Sequence, residues 1–217
     1  MIAEKGKTKM SRIIYVNTKC AVCGHVTQQH VMMSCYSPDS WLDGRKKFVP
    51  ISVHECPVCH YTAWNIDREA DEEVKDYVLS HEYEEWRENY TGPEFLKKID
   101  QAIQIEGKRS VKDICAYYLA AAWLCDDKND KERAKEYRKQ YLEALKATIA
   151  YNIGDLMTCL DVLRRIGEFE YAIESAEELI PELKEQDESF TKISLYQIEL
   201  SKKKDDAAHF MSEILRD

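Results

Sequence analysis

The hydrophobic pattern of this chain changes period near residue 67. Upstream of it, apolar residues come in short runs: Ile13-Ile14-Tyr15-Val16, then Val26 to Met33, then Val49 to Val53, then Tyr61 to Trp64. β-Branched and aromatic residues suit a pleated, half-buried surface, so these runs predict short strands. Between the second and third lie Ser37-Pro38-Asp39-Ser40 and Asp43-Gly44-Arg45, which are turn chemistry. Residues 35–50 therefore read as a loop insert, and residues 1–12 as a loose basic tail.

From Asp67 onward the period is helical. Val74, Tyr77, Val78, His81 and Trp86 follow i, i+3, i+4 steps, and after the Gly92-Pro93 break so do Phe95, Leu96, Ile99 and Ile103. Ile114, Tyr117, Tyr118, Ala121 and Leu124 mark the next helix, and Ala134, Tyr137, Tyr141 and Leu145 the one beyond the polar turn Asp126 to Asp130. Gly154-Asp155 reads as a stop followed by an N-cap, ahead of Leu156, Cys159, Leu160 and Leu163. Gly167 separates that helix from Phe169, Ala172, Ile173, Ala176 and Ile180, and a last helix or two spans about 189–215. The pattern predicts six to eight antiparallel helices.

Two of the helical turns look alike. Ala122 and Ala134 lie twelve residues apart across one turn, and Leu160 and Ala172 across another. The string Gly167-Glu168-Phe169-Glu170-Tyr171-Ala172 resembles the Gly-x-aromatic-x-x-Ala turn of a tetratricopeptide repeat. Ala134 and Ala172 are 38 residues apart, against about 34 for that repeat.

Composition narrows the class. The chain has 217 residues, 44% apolar and 33% charged, which suits a folded protein with a sizeable core. The N-terminus is polar, without a secretory signal, and the longest uncharged apolar stretch, Ile114 to Cys125, is shorter than the roughly 17 residues a bilayer needs. The expected location is the cytoplasm. There, eight cysteines argue for metal or free thiols rather than disulfides. Residues 1–66 carry eight Lys/Arg against four Asp/Glu, or +4, whereas the rest carries −13. An acidic body repels nucleic acid and leaves the N-terminal module as the only candidate to bind it.

The cysteines carry the clearest chemistry. Cys20-x-x-Cys23 and Cys56-x-x-Cys59 each place two thiolates on one tight turn, and two such pairs surround a single Zn²⁺ tetrahedrally. Such a site is closed, hence structural rather than catalytic. A thioredoxin-type dithiol comes singly within a βαβ context, which is absent here. Gly24 follows the first pair but His60 the second, where a positive φ strains most non-glycine residues. His60, His25 and Cys35 remain alternative ligands.

Other templates fail. His54-Glu55-Cys56-Pro57 lacks the His-x-Glu and Pro-Cys order of a zinc deaminase. His81-Glu82 has no second His four residues on, and no phosphate-binding loop or Gly-x-Ser-x-Gly elbow occurs. Cys115, Cys125 and Cys159 fall on apolar helical positions, as inert core thiols do. No catalytic residue is assigned.

Ser37-Pro38-Asp39, Leu42-Asp43-Gly44-Arg45 and Cys56-Pro57-x-Cys59-x-Tyr61 with Ala63 together resemble a family of uncharacterised bacterial zinc-ribbon proteins, a domain of unknown function. Leu119 to Cys125 is similar to that family's helical tail. Ser40 and Trp41 interrupt the insert motif, and His60 stands where the family has Gly. The resemblance implies a zinc ribbon carrying tetratricopeptide-like helices, and no activity.

The expectation is an α+β chain, predominantly α. A zinc ribbon with a loop insert occupies residues 13–66, and a tetratricopeptide-like helical array residues 67–217. One structural zinc ion is held by Cys20, Cys23, Cys56 and Cys59, and the expected role is that of an adaptor binding another protein. The alternative is nucleic-acid binding through the ribbon, with Arg45, Lys46 and Lys47 on phosphate and Trp41 or Trp64 stacking on bases.

Overall fold

Each Cys-x-x-Cys pair sits where two short extended segments reverse direction. The computed structural model describes residues 12–109, 111–147, 152–184 and 187–215. Residues 1–11 of the basic tail lie outside these, and Arg12 opens strand β1, Arg12–Lys19. Strand β2, Val26–Ser34, pairs with it antiparallel, from Lys19 opposite Val26 to Arg12 opposite Ser34. The first cysteine pair is the turn of this hairpin. β3, His54–Glu55, and β4, Thr62–Ala63, flank the second pair in the same way.

The run Val49 to Val53 does not form a strand. Ile51 and Val53 pack instead against a helical core, so their alternation records burial and not sheet pairing.

Eight α-helices follow among the described residues: α1 Glu72–Val78, α2 His81–Glu88, α3 Lys97–Glu106, α4 Val111–Asp127, α5 Lys131–Lys146, α6 Ile153–Ile166, α7 Phe169–Leu183 and α8 Glu188–Lys202. The periodic stretch Val74 to Trp86 is two helices, because Ser80 leaves helical geometry at ψ 157° and its side chain accepts from the Tyr83 amide, an N-cap. The cap of α6 is Asn152, and Asp155 closes the reciprocal half of a capping box, so Gly154 lies inside the first turn and does not end a helix. Gly167 ends α6 at φ 93°, a left-handed conformation that favours glycine. Among the described residues beyond α8, the chain is irregular except for a bridge at Phe210 and one 3₁₀ turn, Met211–Glu213.

The cores explain how the parts stack. Cys20, Cys56, Tyr61, Ala63 and Ile66 share one cluster with Val74, Tyr77, Val78 and Tyr83 of α1 and α2 and Ile105 of α3. A second joins Ile99, Tyr117, Ala120, Ala121 and Ala134, where small side chains let α4 and α5 approach closely. A third joins α6, α7 and α8 and takes in Leu42 from the insert. Burial of their Val, Leu and Ile side chains stabilises by about 1.5–3 kcal/mol each.

The insert is held by the C-terminal segment of the chain. Ser40 bridges Lys46, Trp41 bridges Phe210, and the Leu42 amide donates to the His209 carbonyl at 3.0 Å. Ser212 donates to Asp39 through its amide and its hydroxyl. No helix among the described residues is long and apolar enough to cross a membrane.

Candidate metal centre

Both knuckles are built by the same backbone pattern. The Cys20 amide donates to the His25 carbonyl (2.8 Å) and the Gly24 amide to the Cys20 carbonyl (2.9 Å). In the second knuckle the Cys56 amide donates to the Tyr61 carbonyl (2.9 Å) and the His60 amide to the Cys56 carbonyl (3.0 Å). Gly24 and His60 occupy equivalent left-handed positions, φ 74° and 61°. His60 is held there from outside: Tyr83 of α2 donates its hydroxyl to the His60 carbonyl at 2.8 Å, as does Thr62 at 2.9 Å.

These turns bring the four sulfurs of Cys20, Cys23, Cys56 and Cys59 to within 4.8 Å of one another. The cross-knuckle pairs Cys20–Cys59 and Cys23–Cys56 stand at 3.6 Å. Four thiolates about 2.3 Å from one tetrahedral ion lie about 3.8 Å apart, so the quartet fits a metal of that size. Cys20 and Cys56 are buried, Cys59 is half-buried and Cys23 exposed.

The electrostatics point the same way. Burial raises the Cys20 and Cys59 thiols above their ordinary value. At Cys23 burial is outweighed by the His25 amide and the neighbouring cysteines, and its thiol is lowered. Four negative sulfurs at such separations repel strongly in a partly buried site, and a divalent cation removes that repulsion.

The alternative ligands stand apart. His25 and Cys35 are exposed and outside the quartet. His60 turns its Nδ1 to Glu55 at 2.7 Å. His54, nearby, bonds Gln29 through Nδ1 (2.7 Å) and Ser52 through Nε2 (3.3 Å).

Of the aromatic and basic groups considered for nucleic acid, Trp41, Trp64, Arg45 and Lys47 are engaged within the chain, and Lys46 is exposed. Trp64 stacks on Tyr117 with ring centroids 4.7 Å apart, and Trp41 on Phe210 at 3.7 Å. Arg45 grips Asp127 through both guanidinium nitrogens (2.9 and 2.6 Å), and Lys47 lies over the Phe210 ring. The core thiols are as the sequence implies. Burial pushes Cys115 up to about 11 and Cys125 and Cys159 to about 12, values at which little thiolate forms at neutral pH.

One polar cluster was not read from the sequence. Asp43 of the insert is buried where Trp123 donates its indole N–H (2.7 Å) and Arg165 approaches at 3.3 Å. Arg138 and Arg165 also share Asp126, at 2.5 and 3.0 Å. Burial, with Asp161 alongside, raises Asp43 against the pull of Arg165 and Arg138. The sequence did hold a signal: Arg138 lies in phase with the apolar positions Ala134, Tyr141 and Leu145, where an unpaired charge would not be tolerated.

Comparison with protein-family models, with curated proteins and with solved structures finds no match to this chain.

Proposed function

We propose that the chain is a non-catalytic zinc protein of the cytoplasm, a ribbon whose metal is structural, carried on a helical body that docks another protein. What carries the reading is the disposition of the four sulfurs. Two cysteines are buried in the core shared with α1, α2 and α3, and a four-thiolate shell leaves no coordination position for water or substrate. Zinc suits the donor set, since it favours tetrahedral thiolate ligation. Its loss would release the core residues packed around Cys20 and Cys56, which makes metal binding part of folding.

The docking half is supported by an apolar groove of about 840 Å³ along α5, α6 and α7, lined by Leu142, Leu156, Leu163, Ile166 and the largely exposed Tyr171. Exposed apolar surface of this kind is typical of interaction sites. The resemblance to zinc-ribbon proteins with helical tails agrees with the same architecture.

Two measurements test the reading. Elemental analysis of the purified chain should give one zinc per molecule, lost in Cys56→Ser together with cooperative unfolding, and kept in Cys35→Ser and His25→Ala. A metal-free protein with unchanged stability in Cys56→Ser would refute the structural site. Tagged protein isolated from its native cytosol with nuclease should retain a stoichiometric protein partner, released by Leu163→Glu. Partners that vanish on nuclease treatment would move the function to nucleic acid.

A further inference from the structure

A second cavity, of about 440 Å³, opens between the end of α2, the 89–92 loop, α3, α4 and α5. Its walls include the rings of Trp86, Tyr90, Tyr118 and Tyr137, and its charged group is the carboxylate of Asp100. Among the described residues neither lysine, arginine nor histidine lines it, in a chain with 31 Lys and Arg. The cavity beside the insert is the opposite case, with Arg45, Lys135 and Arg138 already paired to Asp127, Asp206 and Asp126.

The aromatic walls are tied to the carboxylate. Tyr90 donates its hydroxyl to Asp100 Oδ2 and Tyr137 to Oδ1, each at 2.6 Å. With their protons committed to Asp100, both phenol oxygens keep only acceptor capacity. Trp86 and Tyr90 stand with ring centroids 5.5 Å apart and planes tilted by 52°. The cation whose charge acts on Asp100 is Arg133, and it pairs with Asp130 at 3.1 Å. Aromatic faces carry negative charge density, so rings around one carboxylate make a site selective for a bulky, weakly hydrated cation.

We propose that this cavity binds an organic ammonium ion, with the alkylated nitrogen against Trp86, Tyr90 and Tyr118 and its charge balanced by Asp100. The volume suits a small molecule or one long side chain. The same head group occurs on free quaternary amines and on methylated lysine.

Calorimetric titration of the full chain with choline, and with its neutral isostere 3,3-dimethylbutan-1-ol, tests the proposal. Choline is expected to bind with a dissociation constant of about 1 mM or below, and the neutral isostere about tenfold more weakly or worse, because only the charge differs. Asp100→Asn and Trp86→Ala should each weaken choline by about tenfold. Because Asp100→Asn also removes an anchor of two tyrosines, Trp86→Ala and Tyr118→Leu carry the test if it does not fold. Titration with Nα-acetyl-trimethyllysine methylamide separates the two sources: tighter binding than choline supports a protein side chain, weaker binding a free amine. Equal affinity for choline and the isostere, absence of choline binding, or binding unmoved by Trp86→Ala and Tyr118→Leu would overturn the proposal.

Discussion

Asp43 and Trp123, eighty residues apart, meet through a 2.7 Å hydrogen bond that fixes the insert to the helical body. The carboxylate is buried with Arg165 at 3.3 Å and Arg138 at 3.9 Å, and together with Asp126 it lets two guanidinium ions approach each other inside the fold. Removing one member of a buried ionic cluster leaves the others uncompensated, and Asp43→Ala is expected to destabilise by about 3 kcal/mol. Urea unfolding measures this. The metal should stay bound, because the sulfur quartet packs on α1, α2 and α3 and not on the insert.

His60 holds a left-handed turn that glycine would adopt without strain, at φ 61°. Its ring repays part of that strain through the 2.7 Å contact to Glu55. His60→Ala keeps the strain and loses the contact, and should destabilise by about 1 kcal/mol. His60→Gly loses the contact and the strain together, so it should be the more stable of the two variants. Thermal unfolding of the metal-loaded proteins gives the order, and Ala above Gly would mean that the turn is not strained.

The legible parts of this fold were the local ones. Four cysteines at fixed spacing, the β-type runs on either side of the first pair and the i, i+3, i+4 positions of α3 to α8 each depend on neighbours in sequence. Where a side chain breaks a pattern by hydrogen bonding, the pattern alone misleads: Ser80 divides α1 from α2 without disturbing the apolar period. Long-range ion pairing has no period at all. Arg45 with Asp127, and Asp43 with Arg165, are joined by the path of the insert across the helices, and no window of sequence contains both partners. The same holds for the cavity, since Tyr90, Asp100 and Tyr137 lie on a loop, α3 and α5 and read separately as ordinary polar or apolar positions.

Glu106 gives a pH dependence of definite sign. Its side chain is fully buried, with Arg109 at 3.1 Å and Arg68 at 3.6 Å on one oxygen. Burial raises it above the ordinary 4.5, with both arginines opposing. Between that value and the elevated one, the folded chain keeps a proton that the unfolded chain has released. The stability from this group is therefore fully present below 4.5 and declines as pH rises through the folded value. Glu106→Gln lacks this titration, so its stability relative to the parent should rise with pH above 4.5. Urea midpoints of both proteins across the same pH series isolate the difference, because the cysteines contribute to both. A difference that falls with pH would show that the arginines dominate.

Gly92 is required by the ring of Tyr90. A side-chain carbon at 92 would overlap the phenol that reaches from the loop to Asp100, and the obstruction is the rigid end of a ring anchored at 2.6 Å. Gly92→Ala should therefore cost about 1–3 kcal/mol, the range for forcing a packed side chain off its position. Tyr90→Ala removes both the obstruction and the anchor. In that background Gly92→Ala should cost little, so the two substitutions are expected to be strongly non-additive. A double-mutant cycle by urea unfolding reads the coupling directly, and choline titration of Gly92→Ala should show weakened binding in step with it. Additive losses would mean that Gly92 acts through the backbone of the 89–92 loop and not through the Tyr90 ring.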